Sequence, residues 1–490
     1  MKARIVIVVL GMLLGSLSGT AMAADMPVKA PLAPLPAATN WTGVYVNAGY
    51  GYGIWSADTT TQNSFTGLCA LCFNQVQGGK GWLGVIGIGY DYQFTSNIVA
   101  GAFGDFNFAD LKGTIQDQGS FFAGNTSEKW AWAAGARVGW LFTPDFLAYV
   151  NSGYTSARFS GADMVRTFDN GFTGFSTPAV TAHGWFIGGG TEFALHSVLG
   201  LQLGPGWFWR YEYRYASYRN ETLPDTNPAG GIASNITFKP TVQTITSQLV
   251  YKFNTGGPVY HAAPLPPANW TGFYVNAGVG YGGWAADTTT VSPVIAGPCN
   301  FVNLCTVQVQ GGKGWLGVAG AGFDFQVMPK VVIGVFGDYD FTSFKGTIQD
   351  QNLFRAADIK QKSAWAAGAR VGWLSAPDLL AYVNGGYTSA RFSGTNMVTT
   401  FVGTPTGFGT SAFDAHGGFI GGGTEFALHS VLGLQLGPGW FWRNEYRYAS
   451  YRKETLPDTN PAGGIASNIT FKPTVQIITS QLVYKFNWMR

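Results

Sequence analysis

Along most of the chain, hydrophobic and polar positions alternate with a period of two. The cleanest stretch runs from Trp132 to Trp140. Trp132, Ala134, Ala136, Val138 and Trp140 fall on one face, and Ala133, Gly135, Arg137 and Gly139 on the other. This period predicts a β-strand whose two faces meet different surroundings. Eight steps of about 3.3 Å, tilted by roughly 40°, rise about 20 Å, which fits the apolar band of a membrane barrel with an aromatic girdle at each interface. A soluble sandwich would instead bury the apolar face in a shared core. Similar patterns predict strands near 41–55, 80–94, 98–109, 128–142, 146–159, 182–195, 207–220 and 240–253. A second set follows at 270–284, 313–327, 331–342, 361–374, 379–392, 415–428, 440–453 and 473–486. Between strands of the first set, 95–97 and 143–145 are short turns, whereas 56–79, 110–127, 160–181 and 221–239 are long and polar. That is the barrel pattern of short periplasmic turns and long outer loops. The turn from His196 to Gly206 is longer than this pattern predicts.

The two sets are one unit written twice. Trp41-Thr-Gly-Val-Tyr-Val-Asn-Ala-Gly returns as Trp270-Thr-Gly-Phe-Tyr-Val-Asn-Ala-Gly, and Ala131–Leu141 returns as Ala364–Leu374. Leu199–Asn254 returns as Leu432–Asn487 with three changes, Tyr211 to Asn444, Asn220 to Lys453 and Thr244 to Ile477. Solenoid repeats have periods of about 20–50 residues, so a copy this long is a domain. Met1–Ala23 reads as a secretory signal peptide: Lys2 and Arg4, the apolar Ile5–Leu17, then Ala21-Met-Ala23. The expected organisation is signal peptide 1–23, Pro/Ala-rich spacer 24–40, barrel repeat 41–254, Pro/Ala-rich linker 255–269 and barrel repeat 270–488. Two readings stay open: two tandem eight-stranded antiparallel up-and-down barrels, or one 16-stranded barrel enclosing a water-filled channel.

Composition narrows the class. Hydrophobic residues make up 46% and charged residues 11% of 490, against about 25% charged in soluble domains. A disordered chain would carry more charge and fewer aromatics. Beyond the leader no apolar run reaches the roughly 20 residues of a membrane helix. The net charge is +3 without a basic tract, which argues against nucleic acid as a partner.

By the alternation, charges occupy the inward face. In the first copy these are Asp91, Asp105, Arg137, Glu192, Arg210, Glu212 and Arg214, four acids against three bases. In the second they are Asp324, Asp338, Arg370, Glu425, Arg443, Glu445 and Arg447. Trp207, Trp209, Tyr211, Tyr213 and Tyr215 are expected to face lipid, and Trp132, Trp140, Trp365 and Trp373 to form girdles. Eight strands leave an interior just wide enough for side chains to fill, so the inward charges read as a paired plug; the alternative is a selective pore lining. Cys69 with Cys72, and Cys299 with Cys305, lie in the first long loop of each copy and are expected to pair after export. His183 and His416 open the sixth strand of each copy near the outer loops; His196 and His429 lie on the opposite side and His261 in the linker. No Ser/His/Asp set, phosphate loop, metal cluster or cofactor motif stands out, so no catalysis and no cofactor are expected.

Trp270-Thr-Gly-Phe-Tyr-Val-Asn-Ala-Gly-Val-Gly-Tyr-Gly after a Pro/Ala spacer resembles the start of the small α-proteobacterial outer-membrane proteins of the OmpA-like barrel group, which includes porin-family surface antigens and haemin-binding members. Glu212-Tyr-Arg-Tyr, Glu445-Tyr-Arg-Tyr and the endings Val250-Tyr-Lys-Phe-Asn and Val483-Tyr-Lys-Phe-Asn-Trp match its later strands. The resemblance implies an eight-stranded barrel in a Gram-negative outer membrane, with lipid and lipopolysaccharide around it and insertion by the assembly machinery. Gln248 and Gln481 depart from the glycine usual five residues before the final aromatic, and Met489-Arg490 follow that aromatic. The functions that remain are a structural and surface role, passive diffusion, or ligand binding with haemin, which the resemblance suggests, as the candidate; His183 and His416 could serve it, because His is a common iron ligand.

Overall fold

The computed structural model describes residues 39–63, 72–195, 197–198, 201–203, 205–254, 268–291, 305–428, 430–431, 434–435 and 437–486. The leader, most of each spacer, Cys69, Cys299, His196, His261 and His429 lie outside them.

The first copy contributes β1 (Gly43–Asn63), β2 (Gln75–Gln93), β3 (Ile98–Asp117), β4 (Phe122–Thr143), β5 (Phe146–Phe159), β6 (Val180–Ala194), β7 (Trp207–Tyr218) and β8 (Ile232–Asn254). Each pairs antiparallel with the next, and β8 returns to pair with β1 from Gly43↔Asn254 to Asn63↔Ser234. The second copy repeats this with β9 (Gly272–Val291), β10 (Gln308–Met328), β11 (Val331–Asp350), β12 (Arg355–Ala376), β13 (Leu379–Phe392), β14 (Phe413–Ala427), β15 (Trp440–Tyr451) and β16 (Ile465–Lys485). There β16 returns to β9. Each ring of pairs closes within its own copy, which rules out the 16-stranded alternative. Closure leaves no sheet edge in lipid, where an unpaired backbone group has no water to satisfy it.

The pleat follows the alternation. Trp132, Val138 and Trp140 are 38–50% exposed on the outer face, while Ala133 and Arg137 between them are buried. Trp365 and Trp373 are exposed in the same way in β12. The segments expected to be long polar loops are a correction. Most of 56–63, 75–79, 110–117, 122–127 and 232–239 is strand, and Ala162–Arg166, Phe172–Thr177 and Glu221–Thr226 add short pairs above the ring. These extensions are rich in Thr, Gln and Asp. Without an apolar outer face they carry no alternation signal, yet backbone pairing with their neighbours continues the ladder into water. The long turn after β6 holds a small antiparallel pair, Ser197–Val198 with Leu201–Gln202.

Candidate functional site: the barrel interior

Near the periplasmic end of the first ring, Arg137 on β4 reaches two carboxylates at once. Its Nε donates to Asp91 Oδ1 at 2.9 Å, its Nη2 to Asp91 Oδ2, and its Nη1 to Glu192 Oε2 at 2.9 Å. Arg210 Nε donates to Glu192 Oε2 at 2.8 Å. Lys252 on β8 closes the set, 2.6 Å from Asp91 and 3.0 Å from Glu192. One layer outward, Arg214 donates to Asp105 at 2.9 and 2.6 Å and to Glu212 at 2.7 Å. Glu212 also accepts from Tyr149 Oη at 2.7 Å and Asn151 Nδ2 at 2.9 Å.

Sequence reading placed four acids against three bases here and missed Lys252. With it the ring holds four of each and is neutral. The signal was available: Lys252 lies in phase with the inward Gln248 and Val250, between the exposed Leu249 and Phe253. The tyrosines were missed as well. Tyr45 is fully buried under both guanidiniums, with Arg137 at 4.8 Å and Arg210 at 4.7 Å from its ring centre. Glycine makes this possible, because a Cβ at Gly89 would lie 2.4 Å from Tyr45 Oη and one at Gly101 would lie 2.2 Å from Asp91 Oδ1. The Gly-x-Gly strings are therefore seats for large inward side chains.

Apolar layers lie on both sides of these charges. Trp41, Leu141, Phe208 and Val250 cluster at the periplasmic end, and Trp55, Leu83, Leu111, Phe159, Phe186 and Phe238 at the outer end. Lys252 Nζ sits 4.7 Å over the Trp41 ring. Gln248 turns inward and accepts from Asn47 Nδ2 at 2.8 Å, so the residue that departs from the usual terminal glycine belongs to the plug.

The second ring repeats these ion pairs with the same residues and adds the buried Asp340 where the first has Asn107. Arg370 bridges Asp324 and Glu425, Arg443 joins Glu425, and Lys485 lies 2.7 Å from Asp324 and 3.0 Å from Glu425. Arg447 holds Asp338 at 2.9 and 2.6 Å and Glu445 at 2.8 Å.

The remaining sequence candidates lie elsewhere. Trp207, Trp209 and Tyr211 point outward as expected, but Tyr215 meets a tyrosine of the other ring, with centroids 5.3 Å from those of Tyr281. Part of the expected lipid face is thus a seam between barrels. His183 and His416 also point outward, each with Nδ1 hydrogen-bonded to a tyrosine hydroxyl, Tyr154 at 2.7 Å and Tyr387 at 2.9 Å. Cys72 and Cys305 are disulfide-bonded. Among the described residues no group of three or more His, Cys, Asp or Glu is placed to hold a metal ion.

The outer membrane protein beta-barrel domain matches residues 12–253 and again 255–486. A 31 kDa outer-membrane immunogenic protein of Brucella melitensis is 27% identical over 258 residues, covering 50% of this chain and 99% of that protein. Its counterpart in Brucella suis gives the same figures. Among solved structures, a Pseudomonas aeruginosa FadL homologue covers 91% of this chain and 90% of its own at 8% identity and a TM-score of 0.28. Ail of Yersinia pestis covers 44% of this chain and 100% of its own at 14% identity and a TM-score of 0.23. Scores this low carry no argument. The family rests on the domain match: the chain belongs to the outer membrane protein beta-barrel domain family and is an integral protein of the Gram-negative outer membrane that carries the domain twice.

Proposed function

We propose that the two barrels are closed anchors that present their outer ends at the cell surface, and that they neither conduct solutes nor catalyse a reaction. The observation that carries this reading is the buried layer of ion pairs between two apolar layers, neutral in the first barrel and joined in the second by the buried Asp340. A diffusion channel would need water where Trp41, Tyr45 and Trp55 are fully buried. Opening it would separate buried ion pairs, at about 3–5 kcal/mol for each partner removed. The Brucella relatives are named for immunogenicity, which accords with outer ends that meet the outside. Lipopolysaccharide around the outer rim and the assembly machinery during insertion are the partners this reading takes. Haemin has only single, tyrosine-bonded histidines behind it, and His183→Ala with His416→Ala should leave haemin titrations unchanged. Planar bilayer recording of the purified chain tests the main reading: no steady conductance is expected, and porin-sized steps would overturn it.

A further inference from the structure

The two rings meet along a seam in which most of the cross-copy contacts toward the outer end occur in pairs related by the repeat. At the outer tips Phe121 packs tilted against its own counterpart Phe354, centroids 4.0 Å apart. Both residues hold left-handed backbone angles, φ 59° and 53°, a conformation rarely kept by a bulky residue unless its surroundings enforce it. Phe121 also packs on Phe401, and Phe354 on Phe168.

Below the tips, the Phe73 amide donates to the Thr400 carbonyl and the Thr306 amide to the Thr167 carbonyl, both at 2.9 Å. The Val76 amide donates to Thr347 Oγ1 and the Val309 amide to Thr114 Oγ1, again both at 2.9 Å. Gln77 pairs with its counterpart Gln310. Lys80 lies 3.1 Å from Asp287, and Lys313 lies 3.3 Å from Asp58. Deeper still, Tyr52 meets Tyr448 and Tyr281 meets Tyr215, with centroids 5.3 Å apart in both cases. At the periplasmic end Phe142 and Phe146 pack on Phe426.

We infer that this seam is a self-complementary, two-fold interface, and that it holds the barrels together independently of the linker. In a two-fold contact, residue i touches j and j touches i. A flexible tether imposes no such reciprocity. Most of the contacting side chains agree: Asp58, Lys80, Gln77, Thr114, Phe121, Phe168 and Tyr52 have identical counterparts in the second copy, whereas Phe73, which contacts through its backbone, and Phe142 and Phe146 at the periplasmic end are replaced by Thr306, Ser375 and Leu379. Inside the outer ends, where no reciprocity is required, Asn107, Phe122 and Glu128 are replaced by Asp340, Arg355 and Gln361. The partner that fits this face is therefore another barrel bearing the same face. The partly exposed ion pairs fix register more than strength.

The test uses the full chain with a protease site placed within 255–267. After cleavage in detergent, both halves should elute as one complex and keep the heat-dependent gel mobility of folded barrels. Lys80→Asp with Lys313→Asp sets acid against acid and should weaken the cleaved complex at least tenfold. Adding Asp58→Lys and Asp287→Lys should restore it. Folded halves that elute separately overturn the inference. So does co-elution unaffected by the reversed charges, because the halves would then meet by another face.

Discussion

The outer ends of the two barrels solve one electrostatic problem in different ways. In the second, Asp350 and Asp458 are fully buried side by side, and Arg355 Nη1 donates to Asp458 at 3.1 Å while stacking 4.0 Å over Phe408. In the first, Asp117 and Asp225 are equally buried, but Phe122 stands in place of Arg355 and packs on Phe175. Ser234 donates to Asp117, as do the amides of Gly119 and Ser120 at 2.9 and 3.1 Å. Among the described residues no hydrogen-bond donor reaches the oxygens of Asp225. Burial and the neighbouring Asp117 push Asp225 up to about 8. Burial and Asp350 push Asp458 only to about 6, because Arg355 opposes them. Glu128, on the outer side of Trp132, is pushed by burial to about 8, and its counterpart is the uncharged Gln361. A built-in cation lets a buried acid pair ionise near neutrality; an aromatic ring in its place leaves a proton as the counter-charge.

The largest expected effect tests whether the difference is confined to the outer ends. Arg137→Leu takes one cation from Asp91 and Glu192, which keep Lys252 and Arg210, and Arg370→Leu does the same to Asp324 and Glu425, which keep Lys485 and Arg443. With one partner of a buried ion network removed, each should cost its barrel about 3–5 kcal/mol. Denaturant unfolding in micelles should give equal losses. Unequal losses would mean that the inner layers also differ.

Exchanging the outer residues comes next. Arg355→Phe leaves Asp458 without its donor and should destabilise the second outer end by about 1–3 kcal/mol. It should also move the titration of Asp458 toward that of Asp225. Phe122→Arg should move Asp225 the opposite way. Carbonyl-stretch infrared titration reads both, and unmoved bands would break the comparison.

The pH dependence sharpens it further. A carboxyl whose pKa is raised by folding contributes stability that is complete below the unfolded value and is lost as pH rises through the folded one. For Asp458 that loss ends near pH 6, whereas for Asp225 and Glu128 it continues to about pH 8. Corrected for intrinsic rates, amide exchange between pH 6 and 8 should therefore accelerate in Glu221–Thr226 and not in Glu454–Thr459. Equal acceleration would refute the assignment. The smallest effect is expected for Tyr211→Asn, which copies Asn444 onto the exposed face of β7 and should stay within about 0.5 kcal/mol in the same unfolding assay.

Much of this architecture was legible in the residues. Period-two alternation located all eight strands of each ring, because lipid on one side and a filled interior on the other impose different chemistry on neighbouring positions. It also put Arg137, Asp91 and Glu192 on one face. It stopped at the membrane boundary: the Thr- and Gln-rich extensions have water outside, so nothing forces alternation there. The inner layer was read short by Lys252, hidden between two aromatics at the end of β8.

By itself the sequence determined a duplicated unit, exported, with strands of membrane length and an inward face carrying charge. Those properties depend on local spacing and composition. Tertiary structure alone decided that β1 closes on β8 and β9 on β16, that Lys252 makes the plug neutral, and that Tyr52 and Tyr215 face another barrel instead of lipid. Each of these joins residues far apart in the chain. An outward tyrosine reads alike beside lipid or protein until the fold shows what lies against it.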